Sequence, residues 1–143
     1  MQSKSCLTME SYIVKKIKFL INEDFSFDEN TTVGVTPEFK KQITKIDEDN
    51  ASVILGFLID NKEKDMPFSI DVEIEGVFRL DNWEHPDRNT IIQSNAIAIL
   101  FPYLRSVVSM ITANANIPPY VIPVMNIVAL FNKAENGEVE SSE

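Results

Sequence analysis

The sequence contains few of the residues on which catalytic and metal sites depend. Among its 143 residues are one cysteine, one histidine and four glycines. Cys6 has no second thiol for an internal disulfide, which favours a reducing compartment, and the glycines form no phosphate-binding loop. His85 has only its loop neighbours Glu84 and Asp87 as further ligands, and adjacent residues seldom enclose one metal ion. We therefore expect no metal, no cofactor and no enzymatic activity.

Basic residues are also scarce. The 13 lysines and arginines face 22 aspartates and glutamates, so the net charge is −9. Binding to nucleic acid or to an anionic membrane needs Lys and Arg that displace counterions, and this composition argues against both partners. The N-terminal segment MQSKSCLTMESY lacks the apolar core of an export signal, so we expect a cytoplasmic protein.

Length and composition predict a single domain. A content of 44% hydrophobic residues is enough for one modest core in a chain of 143 residues. Residues 1–10 and 133–143 are polar, with too few apolar side chains to offset the entropy lost on ordering. We expect one domain over residues 1–143 with mobile ends.

Residues 95–132 differ from the rest, because Arg105 is the only charged side chain among them. A membrane-spanning helix needs ~20 consecutive, predominantly apolar residues. Asparagines, serines and four prolines interrupt this stretch, so we expect no membrane insertion. Its apolar surface must be covered by protein instead.

The first half of the chain predicts four strands. Residues 12–21, 38–47 and 51–60 are rich in β-branched and aromatic residues or alternate in polarity. Residues 67–78, PFSIDVEIEGVF, alternate strictly, with apolar side chains on one face and acidic ones on the other. Turn-forming residues separate the neighbours, which favours an antiparallel sheet with one buried and one solvated face.

The second half predicts helices, which makes the fold class α+β: a four-stranded antiparallel sheet with a long helix packed on one face and a short C-terminal helix. Thr90 and Gln93 have the form of a capping box. Pro102 either kinks one long helix or occupies the first turn of the main helix, which ends near Asn114; we favour the second. Three further prolines predict an extended segment before a last helix from about Asn126.

The main helix is apolar around most of its circumference, and a helix of this kind is normally buried on two sides. One four-stranded sheet covers only one side. We therefore expect an oligomer, in which the fourth strand and the helix supply the interface. The interface residues that we predict are Ile70, Val72, Ile74, Val107 and Met110.

The apolar stretch ILFPYLRSVVSMITANANIPPYVIPVMNIVALF, residues 99–131, resembles the C-terminal half of the SecB protein-export chaperones. The shared features are the I-L-F-P-Y-x-R opening, the Pro-rich segment and the final A-L-F. Earlier segments, DFSFDEN, TPEFK and PFSIDVEIEGVF, are similar to the family around its first, second and fourth strands. The resemblance implies a tetramer built as a dimer of dimers and ATP-independent capture of unfolded precursors.

The resemblance also implies two binding surfaces. Clients of the family bind in an apolar groove, whose flexible thioethers and large rings can repack against many sequences. The client-binding residues that correspond here are Val33, Val35, Phe39, Ile117, Tyr120, Ile122, Met125, Leu130 and Phe131. The family's acidic sheet face binds the SecA translocation motor, and the acidic residues that correspond to it or extend it here are Asp24, Asp28, Asp71, Glu73 and Glu75.

The chain also departs from the family pattern. Its loop before Phe39 is shorter than usual and Phe39 is the only aromatic residue there, NIV replaces the N-F-D motif, and the tail lacks the basic features that some members use on the motor. Some SecB-like proteins instead protect the antitoxin of a toxin–antitoxin system. Two hypotheses therefore stay open: a holding chaperone that passes unfolded polypeptides to SecA for export, and a dedicated chaperone or scaffold for one partner.

Overall fold

The sheet has four antiparallel strands. The computed structural model describes residues 7–25, 37–60, 66–81, 86–117, 120–123 and 125–135. The strands are β1 (Leu7–Ile21), β2 (Glu38–Lys45), β3 (Asn50–Ile59) and β4 (Phe68–Leu80). They are ordered β1-β4-β3-β2, so β1 and β2 are the two edges. The predicted sheet is confirmed.

Helical structure follows the sheet in the chain. Helix α1 (Arg88–Thr90), a π-helical segment (Ile91–Ala96) and α2 (Ile97–Asn114) are continuous, and we call them together the long helix. Helix α3 (Ile127–Glu135) comes after an extended segment. The predicted α+β class is confirmed, with the long helix on one face of the sheet.

Alternation along β4 defines the two faces of the sheet. Phe68, Ile70, Val72 and Ile74 are buried on the face that carries the long helix, which we call the inner face. The residues between them are half-buried on the outer face. The neighbouring strand β3 has the same alternation: Phe57 pairs with Val72, and both side chains are fully buried. The hydrophobic core therefore lies between the inner face and the helices.

The interface that the sequence predicts is mostly core within one chain. Ile70, Val72 and Ile74 are at most 1% exposed, and Val107 is 6% exposed, because the inner face and the long helix of the same chain pack against each other. This burial argues against direct contact with a second chain, and a role for these four residues at an interface stays a prediction. Met110, at 52% exposure, is the one residue of that set that remains accessible.

Pro102 lies inside α2 rather than in its first turn, so the alternative that we favoured is wrong. A proline cannot donate to the carbonyl four residues earlier, here that of Ala98. Both residues lie on the exposed side of the helix, where water can solvate that carbonyl. The cost of the proline is therefore small enough for one long helix to continue through it.

The helix starts also differ from the prediction. The long helix begins at Arg88, and neither Asp87 nor Thr90 makes a side-chain capping bond. The predicted capping box is wrong, because the Gln93 side chain accepts a hydrogen bond from Lys41 instead. Helix α3 does have a cap, since the Asn126 side chain accepts a hydrogen bond from the Ala129 amide at 2.9 Å.

Both predicted tails are shorter than expected. Strand β1 begins at Leu7, which pairs with Leu80, so residues 7–10 belong to the sheet. Helix α3 continues to Glu135, three residues into the segment 133–143. Backbone pairing and helix continuation extend the ordered domain beyond what side-chain composition alone indicates.

The long helix, Arg88–Asn114, has the length and composition of a membrane-crossing helix. Core helices of soluble proteins meet the same criteria, and 44% of its most apolar window is buried within the chain. Leu100 and Leu104 are fully buried, in the core formed with the sheet. We interpret it as the core helix of the domain.

The long helix lies close to the sheet at Gly76. A Cβ atom there would lie 2.8 Å from Cε1 of Phe78 and 3.0 Å from Cδ2 of Leu100. Gly56 lies on the outer face, and a Cβ there would meet no atom closer than 3.5 Å. Gly76 is therefore required for close packing, whereas Gly56 is not.

We expect Gly76→Ala to destabilise the fold by about 1–3 kcal/mol, because overpacking forces the helix and the sheet apart. Gly56→Ala is the matched control and should change stability by no more than about 0.5 kcal/mol. Urea unfolding of both variants measures the difference. Equal stability of the two would show that the helix and sheet are not in close contact at Gly76.

Candidate functional site

An extended segment, residues 120–123, lies along α2 and is held there by two polar side chains. The Tyr120 amide donates to Oγ1 of Thr112 at 2.9 Å. Nε of Arg105 donates to the Ile122 carbonyl at 2.9 Å. Thr112 and Arg105 are seven residues apart on the helix, two turns, and therefore lie on the same face. They fix the course of a segment that makes no helix or sheet pairing of its own.

Thr112 satisfies several groups at once. Its buried hydroxyl lies 3.2 Å from the carbonyl oxygens of Val108 and Ser109, to which it can donate, while it accepts from the Tyr120 amide. A buried hydroxyl needs such partners to offset its desolvation. Nothing in the sequence indicates this role of Thr112. Arg105 could have been predicted as the other anchor, because it is the only charged residue in a long apolar stretch.

The anchored segment completes a cluster of aromatic rings on the inner face. The Tyr120 ring stacks on Phe57 with centroids 6.1 Å apart, and Phe57 lies 5.3 Å from Phe39. Phe101 of the long helix meets Phe39 edge to face at 6.1 Å. Burial raises the pKa of Tyr120 above its usual value. Phe39 and Tyr120 are only half-buried, so the cluster reaches the surface beside β2.

We define the β2 groove as the surface between the inner-face residues of β2 and the elements opposite, namely the long helix, residues 120–123 and α3. The inner-face residues of β2 are Phe39, Lys41, Ile43 and Lys45. Among the described residues, β2 pairs only with β3, and no described strand lies along its other edge. An unpaired edge next to apolar side chains can accept an extended polypeptide.

The predicted client-binding residues divide into three groups. Phe39, Ile117, Tyr120 and Met125 are half-buried, and Leu130 is 44% exposed, so a ligand can reach them. Ile122 is fully buried and Phe131 is 9% exposed, so these two belong mainly to the core. Their burial leaves little surface for a client to contact, and their role in client binding stays a prediction. Val33 and Val35 lie outside the described residues.

Lys41 lies at the middle of the β2 groove. Its Nζ is 5.2 Å from the centroid of the Phe131 ring, within the range of a cation–π contact. It also donates a hydrogen bond to Oε1 of Gln93 on the long helix. Lys41 thus joins β2 to α3 and to the π-helical segment.

The acidic residues of β4 lie together on the outer face, as predicted, but lysines pair with all three. Lys16 of β1 contacts Asp71 at 3.1 Å and Glu73 at 3.4 Å. Lys15 is 3.7 Å from Glu75. The hydrogen bond to Asp71 raises the pKa of Lys16. The outer face therefore carries alternating charges rather than a uniform negative field.

The other predicted motor-binding residues add little to this surface. Asp24 is exposed beyond the end of β1, and Asp28 lies outside the described residues. On β4, Oδ1 of Asp71 accepts no hydrogen bond from any described residue and is shielded from solvent. A partner that binds to this surface would therefore contact mainly carboxylates that lysines already pair with.

A second apolar surface lies at the opposite edge, along β1. Val14, Ile17 and Ile21 pair with buried inner-face residues of β4, yet they are 39–48% exposed because none of the described helices covers them. Tyr103 and Met110 of α2 are 41% and 52% exposed on the adjoining side of the helix. We call these five residues the β1 surface. Tyr12 connects its two parts, with its ring centroid 4.7 Å from that of Tyr103.

These features define an α+β domain whose exposed apolar edges suit it to binding other polypeptides, and no metal-binding cluster occurs within the described ranges. Residues 2–138 match the family model described as SecB, preprotein translocase subunit SecB. The chain belongs to the SecB family, whose members are chaperones.

Relatives and a solved structure agree with this assignment. The chain is 32% identical over 143 residues to an uncharacterised protein of Methanocaldococcus jannaschii, covering 98% of this chain and 92% of the relative. It is 26% identical to the protein-export protein SecB of Saccharophagus degradans, covering 82% and 77%. Its fold is similar to that of a Mycobacterium tuberculosis SecB-like chaperone, solved with a peptide from an antitoxin, with TM-score 0.66, 13% identity and 83% and 90% coverage.

We expect Arg105→Met to lower stability by about 1.5–3 kcal/mol, because it removes a charged hydrogen bond to a buried carbonyl. Hydrogen exchange at the Tyr120 amide should also become faster, since the segment loses one of its anchors. Both effects can be measured by urea unfolding and exchange spectroscopy.

Arg79→Met is the matched control, because Arg79 is exposed on the outer face and pairs with exposed Asp81. Its effect on stability should not exceed about 0.5 kcal/mol. An Arg105→Met protein that exchanges at Tyr120 as slowly as the control would contradict the anchoring role.

Proposed function

We propose that the protein is an ATP-independent holding chaperone of the cytoplasm, which binds unfolded polypeptide segments in the β2 groove. The observation that carries this proposal is the position of the aromatic cluster, half-exposed beside the edge of β2 along which no described strand lies. Backbone pairing with the edge would be independent of client sequence, while apolar side chains would settle against Phe39 and Tyr120.

The composition of the β2 groove suits it to binding many different client sequences. Met125 and Leu130 are accessible, flexible side chains next to rigid aromatic rings. Thioether and aliphatic groups adapt to many shapes without a fixed hydrogen-bond pattern. Binding would then rest on several modest apolar contacts and would require clients whose backbone is extended and accessible.

A dedicated role is the second candidate, with an antitoxin as one example of a single partner. The solved SecB-like chaperone of similar fold was captured with an antitoxin peptide. The lysine pairing on the outer face also leaves less negative charge for a partner that recognises acidic side chains. Transfer of clients to SecA through Asp71, Glu73 and Glu75 is therefore the weaker part of the export hypothesis, although the family supports it.

Oligomerisation is part of the proposal, but through a different surface from the one predicted. The β1 surface is apolar, accessible and continuous between strand and helix, whereas Ile70, Val72 and Ile74 are buried. A second copy that packs against it would cover the apolar side of α2 that the sheet leaves exposed. We propose a homodimer through the β1 surface, and a tetramer where two such dimers join.

We expect the double substitution Met125→Ser and Leu130→Ser to weaken binding of unfolded clients by about 1–3 kcal/mol. The two changes remove accessible apolar area, worth roughly 25 cal/mol per Å2. Suppression of aggregation of several chemically unfolded proteins, without nucleotide, measures the effect.

The matched control is Ile13→Ser with Leu20→Ser, which removes two exposed apolar side chains from the outer face of β1. Aggregation should be suppressed by this control as well as by the parent. A parent protein that protects none of the unfolded clients, yet binds one native partner tightly, would replace the general chaperone by the dedicated role.

We expect Ile17→Lys to shift the protein toward monomer, because it places a charge in the middle of the β1 surface. Ile13→Lys is the matched control: Ile13 is similarly exposed, at 54% against 48%, but lies on the opposite face of the same strand. Sedimentation of the parent and both variants tests this. A monomeric parent, or equal dissociation by both variants, would rule out the β1 surface as the interface.

A further inference from the structure

The long helix contains a π-helical segment, Ile91–Ala96, between α1 and α2. Such segments are rare, and many of them occur at functional sites. Burial explains the segment in this chain, because Ile92 and Ile97 are 4% and 0% exposed although they are five residues apart. Residues that share a face of a regular α-helix are three, four or seven apart. The wider π-helical turn, with its i→i+5 spacing, brings both isoleucines into the core.

The same turn changes the direction of Gln93. In a continuous α-helix Gln93 would lie one turn before Ile97 and two turns before Leu100, and both of these are fully buried. The extra residue of a π-helical turn rotates the preceding part of the helix by about 100°. Gln93 is therefore half-buried rather than enclosed in the core. It faces β2, where its Oε1 accepts the hydrogen bond from Nζ of Lys41.

Lys41 is a cation inside an otherwise apolar part of the β2 groove. It is half-buried on the inner face of β2, between Phe39 and Ile43. A client that covers the groove removes water from this place, and an ammonium group that loses its water without gaining partners is costly to bury. Gln93 supplies a hydrogen-bond acceptor, and Phe131 supplies a ring face at 5.2 Å.

We propose that Gln93 is a positioning residue of the client site, which holds the Lys41 ammonium against the Phe131 ring so that the aliphatic stem of the lysine faces the client. The inference rests on the proposed function and explains how a cation can lie within its apolar groove. Lysine stems pack along apolar surfaces while the charged end is satisfied elsewhere. Without Gln93 the ammonium would bind water in the groove, and every apolar client would have to displace that water.

A structural tether between β2 and the long helix is the competing explanation for the bond between Lys41 and Gln93. A tether acts through both partners, so removal of either side chain would disturb the groove and weaken client binding to a similar degree. The proposed role is asymmetric. Loss of Gln93 releases a charge into the groove, whereas loss of the Lys41 charge removes the need for Gln93.

The experiment measures binding of one fluorescent peptide, made of Phe, Leu and Ser without charged side chains, to the full chain and its variants. We expect Gln93→Met to weaken peptide binding about three- to tenfold, the range expected for one hydrogen bond. Lys41→Met should bind the peptide at least as tightly as the parent, and adding Gln93→Met to it should have no further effect. Gln93→Glu keeps an acceptor and should bind the peptide like the parent.

Gln42→Met is the matched control, because Gln42 is exposed on the outer face of the same strand, and it should leave peptide binding unchanged. Nuclear magnetic resonance reports the position of Lys41 directly, since the ring current of Phe131 shifts its ε-methylene protons upfield. This shift should be lost in Gln93→Met and kept in Gln42→Met. Urea unfolding establishes that each variant is folded. Gln93→Ala removes the same acceptor and keeps the test valid should Gln93→Met fail to fold.

Peptide binding that is unchanged in Gln93→Met and Gln93→Ala would overturn the inference and leave the proposed chaperone function standing. So would equal weakening by Lys41→Met and Gln93→Met, which favours the tether, or a Lys41 proton shift that does not depend on Gln93. If the peptide does not bind but unfolded proteins are still protected from aggregation, the β2 groove is not the client site and the inference fails with it. If neither the peptide nor unfolded proteins bind, the proposed function itself fails.

Discussion

The long helix is apolar over more of its circumference than one sheet can cover, and the rest of the structure depends on how the remainder is covered. The inner face of the sheet covers one side of the helix, at a distance short enough to require glycine at position 76. Residues 120–123 cover a second side, where Arg105 and Thr112 bind the backbone of the segment. The side that carries Tyr103 and Met110 is left exposed. The packing of the fold, the β2 groove and the exposed β1 surface thus all follow from the apolar character of one helix.

Local periodicity accounts for what could be predicted of the fold. Strict alternation in β4 and the apolar runs around it gave the strands, and the change of period after residue 89 gave the helix. Periodicity does not say which element covers an apolar face, so it cannot distinguish an interface role for Ile70 and Val72 from burial by the chain's own helix, which the structure shows. The position of Pro102 is hard to predict for a related reason, since the cost of a proline inside the helix depends on whether the carbonyl of Ala98 faces solvent.

Prediction of the site was less complete. Family resemblance identified Phe39, Tyr120 and Met125, which the structure leaves accessible, but it could not separate them from Ile122, whose burial depends on the anchoring by Arg105. The lysines of the groove had a usable signal, because residues 39, 41, 43 and 45 share one face of any regular strand. The polarity of these four residues does not reveal the shared face, because Lys41 and Lys45 lie on the inner face together with Phe39 and Ile43.

A holding chaperone with an exposed strand edge must bind other chains without pairing with its own copies, and the lysines of β2 affect this balance. Under the proposed function, the edge of β2 beside the aromatic rings binds unfolded polypeptide, and the same edge could pair with its counterpart on another copy. Two β2 edges placed side by side would bring together the lysines at positions 41 and 45 of both chains, with like charges opposed. This repulsion discourages pairing between two copies without preventing pairing with other chains.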